Sequence, residues 1–149
     1  MNVELKNFLL MRKFHLYLEE RTRKLLEEHN LSLIHYHILM ILCFSYIGDC
    51  SFKSMEHKLD MAQSTLINII KRLENQGYID CYSDVNDKRV KRMHLTEKGR
   101  TFCNLSNSEA KEHKCDLFDM LSSEEQQIFF MLLEKICDGL LEDNKEGSM

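Results

Sequence analysis

Apolar residues along this chain first recur at helical spacing. Over about residues 3–29, Leu5, Phe8, Leu9, Leu16, Leu25 and Leu26 share a stripe with Arg12, with charges between them, which predicts one long helix. The run "EEHNLS" ends it, with Asn30 as the stop and Ser32 as the cap of the next helix. That second helix, about 33–46, is apolar nearly all round, which predicts burial on most sides. Gly48 ends it in "GDCS", and a short helix follows over about 52–59, with Met55 and Leu59 inward. After the tight turn "DMA", a helix over about 62–76 has the clearest pattern. Leu66, Ile69, Ile70 and Leu73 fall on one face, Ser64, Asn68, Lys71 and Asn75 fall opposite, and Thr65 and Arg72 lie on the shoulder.

After Gly77 the period changes from helical to two. "YIDCYSD" alternates Tyr78, Asp80 and Tyr82 against Ile79 and Cys81. "RVKRMHL" alternates Val90, Arg92 and His94 against Lys91, Met93 and Leu95, and the turn "DVND" joins the two runs into a hairpin. Thr96 caps a helix over about 97–120. Ser122 and Glu125 form a capping box for the last helix, about 123–142, whose apolar arc is wider than a monomer's surface helix needs.

Composition narrows the class. The 149 residues include no proline and five glycines, which favours long helices in a single domain over a many-stranded sandwich. Glu4, Lys6, Arg12 and Lys13 interrupt the start of the chain, so the signal-peptide pattern is missing, and His35 and His37 break the longest apolar run. These features predict a cytoplasmic protein without a membrane partner. The six cysteines are scattered with no C-x-x-C, which excludes a zinc ribbon and predicts free thiols, several of them in the core. Net charge is −4, which argues against non-specific nucleic-acid binding by the whole chain. Its distribution is uneven. Between Lys53 and Arg100, Lys and Arg outnumber Asp and Glu ten to seven, whereas the rest of the chain has ten against seventeen.

Helix, tight turn, polar-faced helix and basic-tipped hairpin, in that order, describe a winged helix-turn-helix. Ser64, Thr65 and Asn68 are short hydrogen-bonding side chains of the kind that reach base edges, with Lys71 and Arg72 placed for phosphates. Lys88, Arg89, Lys91 and Arg92 are the hairpin's candidate phosphate contacts. A merely solvated basic strand edge is the plain alternative, and the polar-faced helix just before the hairpin weighs against it. No nucleophile–base motif, glycine-rich phosphate loop or paired-carboxylate constellation points to an enzyme, and no cofactor is expected.

The stretch "STLINIIKRLENQGYIDCYSDVNDKRVKRMHLTEKGR" resembles the MarR family of bacterial transcriptional regulators, above all in the wing "DVNDKR" followed by "LTEKGR". With "LSLIHYHILMIL" upstream and long helices at both ends, the resemblance covers essentially the whole chain. It implies a mainly α fold with a small β-hairpin wing, assembled as an intertwined homodimer on palindromic double-stranded DNA and usually acting as a repressor released by a small ligand. The helices of about 1–32 and 97–149 would form the dimerisation region and about 33–96 the DNA-binding lobe. Asp84, Asp87 and Arg89 would shape the wing. Phe14, Tyr17, Tyr36 and His37 would line a ligand crevice, although core packing explains the aromatic residues equally well.

The chain departs from the family pattern in several places. Ala62 stands where a capping Ser is frequent, which forgoes about 1 kcal/mol. Glu56 replaces a small residue, Ile67 a hydroxyl and Asn68 a basic residue, and Cys81, Tyr82 and Ser83 make the base of the wing less basic. Two rival readings follow. One is a winged protein-interaction module without DNA affinity. The other is a thiol- or metal-dependent sensor or enzyme using His37, Cys43 or Cys50. As metal-ligand candidates, His37 resembles a ligand of zinc-responsive relatives, and Glu109 and His113 share a helix face at i, i+4, with Glu19 or Glu20 to complete a set.

Overall fold

The computed structural model describes residues 1–45, 48–112 and 117–147. The chain forms two compact units, Met1–Ser108 and Glu109–Met149.

In the first unit, α1 (Val3–Glu28) starts at Asn2, whose side chain accepts the Leu5 amide, and stops where Asn30 takes the left-handed conformation at φ 53°. Only Leu25 and Leu26, at the end of this helix, are buried. α2 (Leu33–Phe44) runs through the core with Ile38, Leu39 and Leu42 fully covered. Its first turn is closed by an unforeseen residue. The Nδ1 atom of His35 accepts the Ser32 amide at 3.1 Å and lies 2.7 Å from the Ser32 hydroxyl.

The chain then forms β1 (Asp49–Ser51), α3 (Phe52–Leu59), α4 (Gln63–Asn75), β2 (Ile79–Ser83), β3 (Lys91–Leu95) and α5 (Glu97–Glu112). The three strands pair antiparallel in the order β1-β3-β2, so the expected two-stranded hairpin gains a third member. β1 is too short to show a period, and only its pairing of Cys50 with Met93 and Ser51 with Arg92 reveals it as a strand. Cys81, Met93 and Cys50 share the inward face. α4 packs on β2 and α2, and α3 packs on α4, β1 and β3.

α4 buries Leu66, Ile70 and Leu73 as its period predicts, with Ile69 half-buried at the edge. Tyr78 differs from expectation. The alternation groups it with Asp80 and Tyr82, but it is buried, 5.8 Å from the Phe102 ring and with its hydroxyl 3.4 Å from His29 Nδ1. Its position explains this: it follows Gly77 (φ 83°) and precedes β2, so it does not share the strand's alternation.

The motif "LTEKGR" joins the sheet to α5. Thr96 donates its hydroxyl to the Gly77 carbonyl at 2.5 Å and accepts the Gly99 amide at 3.1 Å. A Cβ on Gly99 would overlap the Tyr78 carbonyl oxygen, so the close approach demands glycine.

The predicted 97–120 helix does not reach its expected end: α5 is described over Glu97–Glu112, and in the second unit residues 117–120 form a turn. The Phe118 carbonyl accepts the Leu121 amide at 2.9 Å and the Gln126 side chain at 2.8 Å, which turns the chain toward α6 (Ser123–Glu146). The expected capping box is present: Ser122 accepts the Glu125 amide and the Glu125 carboxylate accepts the Ser122 amide at 2.8 Å. Phe118, Phe129 and Phe130 pack ring against ring.

Candidate nucleic-acid interface

α4 has an exposed polar face. Ser64, Thr65, Asn68, Lys71 and Arg72 are all exposed, as the helical period requires once Leu66, Ile70 and Leu73 turn inward. Ala62 caps the helix with no side-chain hydrogen bond, so the first-turn amides keep no side-chain partner there. Such a helix N-terminus favours an anion. The preceding turn is tight because Asp60 takes the left-handed conformation at φ 48° and the Met61 amide donates to the Glu56 carbonyl.

The wing tip is built by two aspartates. Asp84 Oδ1 accepts the Asn86 amide at 2.8 Å, and Asp87 Oδ1 accepts the Arg89 amide at 3.0 Å. The Arg89 guanidinium lies back on the Asp87 carboxylate with both contacts at 3.1 Å, and these hydrogen bonds hold that carboxyl below its ordinary range. Arg89 keeps 91% of its side chain exposed, so its charge faces outward, and Lys88 and Lys91 are exposed beside it.

Arg92 is placed differently from the other predicted cations. Its Nε donates to Asp49 Oδ1 at 2.8 Å, its Nη1 lies 3.7 Å from Asp84 Oδ2, and only a quarter of the side chain is exposed. It ties β1 to the base of the wing.

A groove of about 700 Å³ runs between α4 and the wing. It brings Lys71 of the helix together with Arg89 and Lys91 of the hairpin over an apolar floor of Ile67, Ile70 and Val90. Lys53 at the start of α3 also lines it. Lys53 was only part of the basic count in the sequence, because nothing in linear spacing links it to the wing. The groove also contains Glu56 and Glu74, and Glu74 accepts the Cys81 amide at 2.9 Å. Burial, then that carboxylate, push the Cys81 thiol up to about 12.

Residues 31–91 match the model of the MarR family. That matched segment is MarR-like. The HTH-type transcriptional regulator YsmB of Bacillus subtilis is 28% identical over 90 residues, which cover 60% of this chain and 62% of YsmB, so the match spans under two thirds of that relative. Among solved structures, the MepR–DNA complex of S. aureus aligns over 89% of this chain and 98% of its own, at 23% identity and a TM-score of 0.63. NadR in complex with 4-hydroxyphenylacetate aligns over 86% of this chain and 89% of its own, at 20% identity and a TM-score of 0.71. The MarR fold thus extends well beyond the matched segment.

The remaining sequence candidates fall elsewhere. Tyr36 is half-buried with its ring 6.5 Å from Phe102, His37 is exposed, and Phe14 and Tyr17 lie along the exposed part of α1. Among the described residues, no group of three or more His, Cys, Asp or Glu is placed to hold a metal ion. His113 and the side chain of Glu109 lie outside the described residues. Likewise, among the described residues no helix is long and apolar enough to cross a membrane.

Proposed function

We propose that this MarR-domain protein is a transcriptional regulator that binds duplex DNA as a homodimer, with α4 in the major groove and the wing along the backbone. The observation that carries the reading is the shared groove, where Lys71 of α4 meets Arg89 and Lys91 of the wing beside the exposed Ser64, Thr65 and Asn68. Cations on two elements aimed at one groove fit a phosphate backbone, and short polar side chains on the intervening helix face fit base edges. Lys88, Arg89, Lys91, Lys71 and Arg72 supply the phosphate contacts, and Arg92 holds the wing in place. Release by a small ligand fits the same scheme, with Tyr36, His37, Phe14 and Tyr17 as the crevice lining. Such a protein works as a regulator rather than an enzyme, in the cytoplasm where the DNA is.

The test is anisotropy on a palindromic duplex from the protein's own promoter across a salt series. Affinity is expected to fall steeply with salt, and replacing both Lys88 and Arg89 by Ala is expected to reduce the log–log slope by about 2, near 1 for each lost phosphate contact. A double variant that binds like the parent removes the wing from the interface. Weak, salt-independent association with every duplex favours a protein-interaction module.

A further inference from the structure

The groove between α4 and the wing holds two carboxylates among its cations, Glu56 and Glu74. Glu74 has a structural task, since it accepts the Cys81 amide at 2.9 Å. Glu56 has none of this kind. Among the described residues, no hydrogen bond or ion pair engages its carboxylate. It lies on α3 and is half-buried. It lines the groove beside Gln63, Ile67 and Lys71 of α4. It also lines a cavity of about 430 Å³ at the tight turn, with Asp60, Met61 and Ala62. Between these two spaces it borders the first turns of α4, the end that a recognition helix presents to base edges.

We propose that Glu56 is a specificity-determining residue that accepts a hydrogen bond from the N4 amine of a cytosine in each operator half-site. Its role rests on the DNA-binding reading above.

The chemistry of the carboxylate selects the base. An ionised carboxylate only accepts hydrogen bonds. A phosphate repels it, so at a DNA surface it needs an amine. The major groove offers adenine N6 and cytosine N4. Adenine N6 lies between its own N7 and the thymine O4, acceptors that repel a carboxylate on both sides. Cytosine N4 has one acceptor neighbour, the guanine O6, and on its other side the C5 hydrogen. The cytosine edge is therefore the better fit. Lys53 on the same helix and Lys71 on α4 line the groove with Glu56, and their charges lower the cost of bringing a carboxylate to the duplex. The half-buried Ile67 and the buried Ile70 make this part of the groove partly apolar, which strengthens a charged hydrogen bond formed there.

The test selects duplexes from a randomised library with the full-length protein, with Glu56→Ala and with Glu56→Gln. Affinities for single-base variants of the selected site are then measured. The parent is expected to enrich a palindromic motif with a cytosine at one position of each half-site, and replacing that cytosine is expected to lower affinity about tenfold. Glu56→Ala is expected to accept any base there while keeping the rest of the motif. Glu56→Gln, nearly isosteric, is expected to move the preference to adenine, whose N6 and N7 fit a side-chain amide. Should Glu56→Ala fold poorly, Glu56→Gln decides alone. A merely repulsive Glu56 gives a different result: both variants tighten on every duplex by one factor and keep the parent's motif, which overturns the proposal. A parent that binds duplex DNA but enriches no motif overturns it as well. A parent that binds no duplex removes the DNA-binding reading itself, and the role of Glu56 with it.

Discussion

Single residues carry two constraints that hydropathy alone does not show. Gly99 has no room for a side chain, because the first atom of one would overlap the carbonyl of Tyr78. Gly99→Ala is expected to cost about 3 kcal/mol, read as a fall in the urea midpoint at unchanged slope. His35 is buried with its Nδ1 accepting from Ser32, a role only the neutral ring can fill. Burial, then the charge of Arg72, lower its pKa below the ordinary 6.5. Above that value the ring is neutral in both folded and unfolded chains. As pH falls through it, the unfolded chain takes up the proton first, so stability drops, by at most about 1.4 kcal/mol per pH unit. Urea midpoints between about pH 8 and 5 check this, and His35→Gln is expected to flatten the acid side of the curve. A slope unchanged in that variant assigns the effect to other histidines.

The elements show where a linear pattern suffices. α4 was legible because Leu66, Ile70 and Leu73 repeat over two turns, and its polar face follows from geometry once they are buried. β1 has three residues, and no period can be read from three. Its role depends on Asp49, which meets Arg92 only because β1 pairs with β3. The sequence placed Arg92 among the phosphate contacts, as composition alone would. Its ion pairs make it a clamp between sheet and wing. Arg92→Ala is expected to destabilise by about 2 kcal/mol, since it leaves the Asp49 and Asp84 carboxylates unpaired. Arg92→Lys, lacking the planar fork, is expected to rescue less than half of that. A double-mutant cycle with Asp49→Asn measures the coupling, and a value near zero rejects the clamp.

At the scale of the molecule, long stretches of α1 and α6 remain uncovered. Leu5, Phe8, Leu10 and Met11 on α1, and Ile128, Met131, Ile136 and Leu140 on α6, are each half or more exposed. A soluble chain rarely leaves this much apolar surface open, and a second copy of the chain is the occupant we propose. Sedimentation at micromolar concentration is expected to give a dimer. Ile136→Asp is expected to shift it toward monomer and to make thermal stability depend on protein concentration. A parent that sediments as a monomer at every concentration ends the dimer proposal.

Periodicity alone determined the helices other than the far end of α5, the hairpin and the polar face of α4, because each is a local repeat that the chain writes out in order. The stop at Asn30, the cap at Ser122 and the wing turn were equally local, the first resting on a left-handed backbone and the other two on side chains that bond within three residues. What only the tertiary structure decided were contacts between segments distant in the chain. These are the burial of Tyr78 under Phe102, the pairing of β1 with β3, and the meeting of Lys53 and Lys71 with the wing. Such partners share no spacing rule, because packing rather than local repeat brings them together.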